Sequence, residues 1–415
     1  MGFSKDGTMS MKQTVLVVHT SAIENTPPLR NCTTHFARRG IRVLVIGYKK
    51  PKLPKFERLG HGQWILRMNL KTRKIPGTYF RQACMLIEFL VAVRAILKRT
   101  VPRELVAFDD PASLCLVFAS SKFTTRIAWL LEFSHPRGKS VLQKALLAVT
   151  SRFWRLADAL VVPTRERLAL HLCLRPECLV KKHFVIHNAP NCCKRSSPTF
   201  LESRNEHPLL QASEGRLRIV YSGGVGFGYG LENLIKAVGS MPDDFELLII
   251  GPKYKRNETK SGFMDAQEAI SKCIEDANDR GNILWLDRVP YNELQGILLQ
   301  RDIGYVTYEP LWLNNYFSAP GKVYEYLKAG LVVLMDNASC LSRELALNDC
   351  GEFFPINPSE EDIRAALHRL VSKRDDIQKM KEKALKLFEQ ELCLDKQMEP
   401  LLTWLNEMGQ CSQRM

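Results

Sequence analysis

The segment YSGGVGFGYGLENLIKAV, residues 221–238, joins the end of a hydrophobic run to a helical pattern through a glycine-rich loop. Apolar residues then follow at the i, i+3, i+4, i+7 spacing of a helix with one buried face: Leu231, Leu234, Ile235 and Val238. Glycines let backbone N–H groups approach an anion, and the first turn of a helix favours negative charge. The segment therefore predicts a strand, a loop and a helix. One interpretation is that the loop faces a phosphate. Because the loop lacks the Walker spacing and the strict G-x-G-x-x-G pattern, a plain tight turn is the alternative.

Short aliphatic runs alternate with helical stretches along the whole chain of 415 residues, which is long enough for two domains. The predicted strands are residues 14–18, 42–47, 105–108, 126–131, 159–162 and 183–187, then 217–223, 245–251, 282–286, 302–307 and 331–335. Because these runs are almost continuously apolar, we expect strands buried on both faces, in parallel sheets covered by helices. Residues 188–215, rich in Pro, Ser and charge, predict a linker between two doubly wound α/β domains.

The charge of the chain is unevenly distributed. Residues 1–215 hold 35 Lys and Arg against 14 Asp and Glu, a balance of +21, whereas residues 216–415 hold 24 against 30, a balance of −6. A basic first half is compatible with an anionic membrane surface, an anionic substrate, nucleic acid or merely a soluble basic surface. Nucleic acid is disfavoured, because the chain has no zinc-finger spacing, no aromatic RNA-binding motif and no long basic arm.

The sequence contains no run of 18 apolar residues, and its N-terminus lacks the layout of a signal peptide. We therefore predict a cytoplasmic protein without a transmembrane helix, whose 12 cysteines are thiols. Residues 79–100 form an apolar helical pattern with basic residues towards its ends. This pattern predicts either a helix packed on the first sheet or a helix lying in a membrane interface. The second alternative would make the protein peripheral on the cytoplasmic membrane face.

The segment SAPGKVYEYLKAG, residues 318–330, predicts a second helix at the ligand-facing edge of the second sheet. Ser318 is the expected N-cap, with Pro320 in the first turn and Gly330 as the C-terminal stop. Lys322 and Glu325 are three residues apart and share one helix face. A cation beside backbone amides suits a diphosphate, and a carboxylate suits a ribose diol. The alternative is an ordinary surface ion pair worth about 0.3–0.5 kcal/mol.

Several motifs in the second half resemble one known family: VYSGGVGFGYGLENLIKAV, LIIGP, LWLDRVPYNELQGILLQRDIGYVTYEP and SAPGKVYEYLKAGLVVL. They are similar to the second domain of retaining glycosyltransferases with the GT-B fold, close to family 4 (glycosyl transferases group 1). ADALVVPTRERLALHL and VIHNAPN resemble the end of that family's first domain, whereas residues 1–156 match only loosely. The resemblance implies two Rossmann-like domains facing a cleft: residues 1–200 on the acceptor side and residues 210–395 binding the nucleotide sugar. A C-terminal helix, about residues 396–415, would pack back on the first domain.

The resemblance also implies site residues. Glu325 would hold the ribose, and Lys322 with the backbone of Ser318, Ala319 and Gly321 would lie near the diphosphate. The loop bordering the base would contain Arg288, Val289 and Tyr291, and the phosphate-facing loop would contain Gly223 and Gly224. The donor would be a UDP- or GDP-sugar, a substrate rather than a cofactor, and no metal is expected. Lys322 would stabilise the charge that develops on the diphosphate as the sugar leaves.

Three positions depart from the family pattern. Phe317 stands eight residues before Glu325, where the family often has a carboxylate near the sugar ring. The glycine loop continues with Tyr229 and Gly230, where an Arg and a Lys-Gly usually face phosphate. The first strand is followed by HTSAIENTPPLRN, residues 19–31, instead of a Gly-Gly turn. Binding of the donor would then depend more heavily on Lys322.

In the first half, polar residues that follow predicted strands are candidates for acceptor or sugar contacts. They are Asp109, Asp110, Glu132 and His135, and the alternative for each is a solvated or capping loop residue. His and Cys residues between His171 and Cys193 include metal-competent types. Their spacing does not match a zinc finger, so buried thiols and strand-end histidines are the favoured interpretation.

The predicted function is a retaining glycosyltransferase that moves a sugar from a nucleotide-diphosphate sugar to a glycan or lipid-linked acceptor, in polysaccharide or glycoconjugate biosynthesis. The basic first half is compatible with docking on an anionic membrane surface. The alternatives are a GT-B-like nucleotide-sugar epimerase and a non-catalytic homologue that only binds nucleotide sugars. An epimerase would need additional acid–base groups around the sugar, and Phe317 argues against this alternative.

Overall fold

A computed structural model describes residues 14–60, 62–74, 78–99, 102–119, 124–133, 141–192, 215–226, 228–253, 261–310 and 313–413. The chain divides into two compact units. Unit 1 comprises Met1–Asn191 together with Leu394–Met415, and unit 2 comprises Cys192–Cys393.

The strands of unit 1 are β1 (Thr14–His19), β2 (Arg42–Tyr48), β3 (Phe56–Gly60), β4 (Gln63–Met68), β5 (Glu104–Phe108), β6 (Thr125–Trp129), β7 (Ala159–Val162) and β8 (Lys182–Val185). Those of unit 2 are β9 (Leu217–Ser222), β10 (Phe245–Ile250), β11 (Ile283–Leu286), β12 (Ile303–Val306), β13 (Val332–Asp336) and β14 (Gly351–Phe354).

The α-helices follow in chain order and link most of these strands. They are α1 (Pro27–Arg38), α2 (Thr78–Arg99), α3 (Val141–Arg152), α4 (Arg165–Leu174), α5 (Leu231–Gly239), α6 (Ser261–Ala277), α7 (Tyr291–Leu298), α8 (Leu313–Tyr316), α9 (Gly321–Ala329), α10 (Cys340–Leu347), α11 (Glu360–Ser372), α12 (Ile377–Leu387) and α13 (Leu394–Gln413). No helix in the described ranges has the length and hydrophobicity needed to cross a bilayer.

The sheet of unit 1 has the order β3-β4-β2-β1-β5-β6-β7-β8 and is parallel except for the β3–β4 pair. Its two faces are covered by helices because its strands are apolar on both sides. One face packs against α1 and α13, and the other packs against α2 and the 3-10 helix Asp110–Phe118. Five buried residues of α13 lie in the first of these cores: Leu394, Met398, Leu401, Leu402 and Leu405.

The sheet of unit 2 is parallel throughout, with the order β11-β10-β9-β12-β13-β14. Helices α5, α6 and α11 contribute to the core on one face, and α9 packs on β12 and β13. The strand order reverses between β9 and β12 in this sheet, and between β1 and β5 in the sheet of unit 1. Ligands of doubly wound sheets bind at the carboxyl ends of strands beside such reversals. Each unit therefore has one preferred edge for a site.

Candidate functional site

In unit 2, the loops after β9 and β12 meet at the carboxyl edge, where the strand order reverses. The Glu309 N–H donates to the Gly228 carbonyl over 2.9 Å, and the Tyr305 hydroxyl donates to the Gly230 carbonyl over 3.1 Å. Gly230 has φ 57°, and a Cβ there would lie 2.6 Å from the Thr307 methyl group. A glycine is therefore required where these two loops touch.

The glycine turn after β9 is closed by its own neighbours. The Gly223 N–H donates to the Ile250 carbonyl over 2.9 Å, and the Tyr221 hydroxyl donates to the Gly224 carbonyl. A Cβ at Gly224 would lie 2.8 Å from the Tyr229 hydroxyl oxygen, which explains the glycine. The Gly223 amide is engaged within the sheet and is not a phosphate donor in this conformation.

Helix α9 begins at Gly321, and Pro320 occupies the N-cap position without a side-chain capping hydrogen bond. The prediction that Ser318 caps this helix is therefore wrong. Pro320 has the fixed φ of a residue entering a helix, so the helix starts directly after it. The Ser318 N–H instead donates to the Asn315 carbonyl over 3.1 Å. As predicted, the helix ends at Gly330, which adopts a left-handed conformation.

Lys322 points from the first turn of α9 towards the glycine turn. Its Nζ lies 3.0 Å from the position that a Cβ on Gly223 would take. Three tyrosine rings surround this ammonium group, with centroid distances of 4.1 Å for Tyr221, 5.2 Å for Tyr308 and 5.6 Å for Tyr229. We call these three rings the tyrosine cage. The negative faces of aromatic rings attract a cation, which orients Lys322 at the carboxyl edge.

The Lys322 ammonium group has no hydrogen-bond partner among the described residues, although its Nζ is buried. Burial lowers the pKa of Lys322 from 10.5 to about 7. A buried amine without a hydrogen-bond partner in the described part of the chain is costly in its charged form, because burial removes it from bulk water. This arrangement favours a site that receives an anion from outside the protein.

Glu325 lies one turn further along α9 and is held by α7. Its two carboxylate oxygens each accept from the Tyr291 hydroxyl over 2.9 Å, and Oε2 also accepts from the Gln295 amide over 2.8 Å. Tyr291 was predicted to border the base, so the structure brings two predicted site residues into contact. Lys322 and Glu325 do not pair with each other: Glu325 is bound by α7, whereas Lys322 lies in the tyrosine cage.

The other predicted residues of unit 2 lie along the same edge. Arg288 is exposed and Val289 is half-buried, in the loop between β11 and α7. The Arg288 N–H donates to the Asp287 carboxylate over 2.6 Å. Ala319 is buried just before α9. Phe317 is half-buried and packs edge-on against Tyr316, with ring centroids 4.8 Å apart.

In unit 1, Asp109 follows β5 beside the strand-order reversal. Its backbone has φ 74°, unusual for a residue with a side chain. One carboxylate oxygen accepts from the Leu131 N–H over 3.3 Å, and the other lies 3.7 Å from Nδ1 of His19. Burial, aided by the charge of Glu132, raises the pKa of Asp109 to about 7. Asp110 is buried at the start of the 3-10 helix, and His135 lies outside the described residues.

His19 terminates β1 opposite Asp109. Its Nδ1 must carry a proton, because it donates to the Phe108 carbonyl over 3.1 Å. Burial lowers the pKa of His19, which favours the neutral ring. Nε2 then accepts from the hydroxyls of Ser21 and Thr26, over 2.6 and 2.9 Å. His19 and Asp109 therefore form a preorganised polar pair at the ligand edge of this sheet.

No group of three or more His, Cys, Asp or Glu side chains in the described residues is arranged to hold a metal ion. The histidines considered at the sequence level have other surroundings. His171 packs edge-on against the rings of Phe133 and Trp154, at 5.3 and 4.9 Å. His183 and His187 bond the carbonyls of Cys178 and Pro163.

Sequence reasoning missed His19, Gln295 and two members of the tyrosine cage, Tyr221 and Tyr308. Tyr229 was named only because it stands where the glycosyltransferase family usually has a cation that faces phosphate. One signal was present: Tyr221 and Tyr308 stand at or just beyond the ends of predicted strands on either side of the reversal. Polar aromatic residues at such positions can be searched for directly.

Residues 202–387 match the family model of glycosyl transferases group 1. No curated protein sequence matches the chain significantly. Among solved structures, the chain is similar to sucrose-phosphate synthase from Thermosynechococcus elongatus, with TM-score 0.71, 13% identity, and coverage of 95% of this chain and 100% of that chain. It is also similar to UDP-forming alpha,alpha-trehalose-phosphate synthase from Burkholderia vietnamiensis, with TM-score 0.67, 12% identity, and coverage of 97% of this chain and 100% of that chain. A third similar structure is WaaG, a glycosyltransferase involved in lipopolysaccharide biosynthesis, with TM-score 0.60, 14% identity, and coverage of 94% of this chain and 98% of that chain. These likenesses confirm the predicted α/β fold of the GT-B class.

Proposed function

From the premise that this chain is a glycosyltransferase, whose residues 202–387 form a glycosyl transferases group 1 domain, we propose that it transfers a sugar from a UDP- or GDP-sugar to a glycan or lipid-linked acceptor. We further propose that transfer retains the anomeric configuration and needs no metal ion. The observation that carries the proposal is the buried Lys322 ammonium group, aimed at the glycine turn without an anionic partner among the described residues.

Lys322 is assigned to the donor diphosphate. Departure of the sugar places negative charge on the diphosphate, and a preorganised cation stabilises that charge without reorganising at the moment of reaction. The first N–H groups of α9, including that of Gly321, lack acceptors within the helix and reinforce the positive potential. Among the similar structures, the Burkholderia vietnamiensis enzyme is described as UDP-forming, which is compatible with a nucleotide diphosphate product here.

Glu325 is assigned to the ribose. An ionised carboxylate accepts hydrogen bonds from two vicinal hydroxyls, and the contacts with Tyr291 and Gln295 fix its orientation. Arg288, Val289 and Tyr291 would then border the base. Because α7 carries Tyr291 and α9 carries Glu325, recognition of the base and of the ribose would be mechanically linked.

Unit 1 is assigned to the acceptor. Asp109, Asp110 and His19 lie at its carboxyl edge, and we propose that they contact acceptor hydroxyls, together with His135. A carboxyl group whose pKa is close to neutrality can take up or release a proton during transfer.

A cytoplasmic location on the membrane face is part of the proposal. Helix α2 exposes three apolar side chains along one stripe, Phe80, Ile87 and Val91, which are 66%, 61% and 63% exposed. Basic residues Arg94 and Lys98 continue the same stripe towards the C-terminal end of the helix. This combination is typical of helices that lie in an anionic membrane interface. WaaG, which is involved in lipopolysaccharide biosynthesis, supports a glycolipid acceptor by analogy only.

The decisive experiment combines binding and turnover. A panel of UDP- and GDP-sugars is screened by thermal shift, and a ligand at about 100 times its Kd should add about 2.7 kcal/mol to the free energy of unfolding. The best donor is then incubated with and without glycan and lipid-linked acceptors. Nucleotide release that requires an acceptor indicates transfer. A new sugar isomer without acceptor would indicate an epimerase, and binding with neither product would indicate a non-catalytic homologue. No thermal shift with any nucleotide sugar would refute the proposal.

Glu325→Gln provides a sharper test of the ribose assignment. The wild type should bind UDP more tightly than 2′-deoxy-UDP, by about 1.5 kcal/mol for a hydrogen bond to a charged group. In Glu325→Gln this preference should shrink, while the affinity for 2′-deoxy-UDP changes little. Lys328→Ala, on the last turn of the same helix, is the matched control and should preserve the preference. An undiminished preference in Glu325→Gln would place the ribose elsewhere.

A further inference from the structure

A cavity of about 740 Å³ opens on unit 1 at the carboxyl edge of its sheet. Its walls come from the loops that follow β1, β2, β4 and β5, four neighbouring strands, and from the first half of α2. Its size falls within the range of small-molecule sites, about 300–1,000 Å³. Since ligands of open parallel sheets bind at this edge, the position favours a ligand site.

In the described part of unit 1, four basic side chains line this cavity: Lys49, Lys50, Arg73 and Arg81. No Asp or Glu is found among the described residues that line it. Like charges that converge on one cavity repel each other, and the repulsion is relieved when an anion binds between them. Arginine adds a planar fork of donors that matches the oxygens of a phosphate group. The cavity therefore selects for an anion.

Arg73 is held at the cavity by the loop after β2 and by the fixed position of its own 3-10 turn. Its Nη1 donates to the Lys49 carbonyl over 2.9 Å. The carboxylate of Glu88, on α2, accepts from the N–H groups of Lys71 and Thr72 over 2.9 and 3.0 Å. Glu88 therefore fastens the 3-10 turn Lys71–Lys74 to the helix that also carries Arg81. Arg73 is therefore positioned before any ligand arrives, which lowers the entropy cost of binding.

One wall of the cavity is apolar, formed by Leu70 together with Met85 and Leu86 of α2. Methionine is flexible and adapts to irregular apolar groups. A ligand that fits must therefore combine an anionic group with an uncharged organic part.

We propose that this cavity binds the phosphate group of a phosphorylated acceptor, a phosphate monoester or a diphosphate ester, with its organic part against the Met85 wall. The proposal rests on the proposed function, because it names the acceptor class of the same enzyme. Two sources share this chemistry: a soluble sugar phosphate and a lipid-linked sugar diphosphate. Arg73 and Arg81 would hold the phosphate oxygens, and Lys49 and Lys50 would add positive potential.

The test uses isothermal titration at about 150 mM salt, where long-range attraction between exposed charges is screened beyond about 8 Å. The probes are glucose 6-phosphate, farnesyl diphosphate, uncharged glucose and UDP. The variant Lys49→Ala/Arg81→Ala removes two charges from the cavity. The control Arg42→Ala/Lys55→Ala removes the same two residue types from exposed positions, at the amino end of β2 and in the loop before β3.

We expect at least one phosphorylated probe to bind the wild type, and the cavity variant to weaken it about tenfold or more, since charge-assisted hydrogen bonds are lost. The control variant should bind that probe as the wild type does. A preference for glucose 6-phosphate identifies a soluble acceptor, and a preference for farnesyl diphosphate identifies a lipid-linked one.

The proposal is overturned if neither phosphorylated probe binds, if glucose binds equally well, or if both double variants lose affinity alike. UDP separates this result from the donor assignment. Its affinity should be unchanged in Lys49→Ala/Arg81→Ala and lost in Lys322→Ala. Failure of UDP to bind the wild type would refute the proposed function, while the response of the phosphorylated probes to the cavity variant would still decide the acceptor proposal.

Discussion

The pH dependence of donor binding tests the role of Lys322 directly. If the charged ammonium group binds the diphosphate, the free protein must first protonate a lysine whose pKa is about 7. The charged fraction falls from about 0.9 at pH 6 to about 0.1 at pH 8, so affinity should fall about tenfold across this range. The sign follows from the lowered pKa: binding strength is present below pH 7 and is lost as the pH rises.

The assay is isothermal titration with the best nucleotide sugar, whose diphosphate is esterified at both ends. The titration is repeated at pH 7 in two buffers of different ionisation enthalpy. About half a proton should be taken up per ligand bound, because the anion restores the lysine pKa towards its ordinary value. Proton uptake separates this effect from a general weakening of the protein at high pH.

Two variants sharpen the interpretation. Lys322→Arg keeps its charge throughout the range and should bind with an affinity that does not depend on pH between 6 and 8. Lys328→Arg, on the same helix but outside the tyrosine cage, should keep the wild-type dependence. An affinity of the wild type that stays constant from pH 6 to 8, or binding without proton uptake, would refute the assignment of Lys322 to the diphosphate.

Three further predictions concern stability and localisation. Lys322→Met removes a buried amine that has no hydrogen-bond partner among the described residues, so it should raise the free energy of unfolding at pH 7 by about 1–3 kcal/mol in urea titrations. It should also abolish donor binding, and a destabilised variant would contradict the cost assigned to that amine. Leu401→Ala should cost about 2–5 kcal/mol, since this side chain of α13 is fully buried in the core of unit 1; a loss below about 1 kcal/mol would mean that α13 packs loosely. Ile87→Glu/Val91→Glu should reduce sedimentation with anionic vesicles at unchanged thermal stability, whereas sedimentation equal to the wild type would exclude the exposed stripe of α2 as the membrane contact.

Most strands were predictable because burial on both faces of a sheet requires a continuous apolar run in the sequence. β1, β2 and β10 lie inside sheets and are apolar on both faces, so continuous runs such as TVLVV identified them. β3 is an edge strand without a buried residue and pairs antiparallel with β4, and its sequence FERLG has no continuous apolar run. β14 has only four residues. Strands of this kind are defined by their neighbours rather than by their own composition.

The site was predictable only where one helix carries the pattern. Lys322 and Glu325 lie on α9 and could be paired by spacing alone. The tyrosine cage could not be predicted, because Tyr221 precedes Lys322 by about a hundred residues and meets it only through the pairing of β9 with β12. The pairing of β1 with β5 likewise brings His19 to Asp109. Spacing within one element is visible in a sequence, whereas contacts across a sheet reversal depend on tertiary structure.

The tyrosine cage has a consequence for covalent chemistry. Ordinary surface lysines are almost wholly protonated at neutral pH and react slowly with carbonyl compounds, but an amine with a pKa of about 7 is half unprotonated and nucleophilic there. A phosphate-bearing aldehyde such as pyridoxal 5′-phosphate would be drawn to this amine and form an imine that borohydride reduces to a stable adduct. Lys322 should therefore be the amine that such a reagent labels first, and a nucleotide diphosphate should protect it.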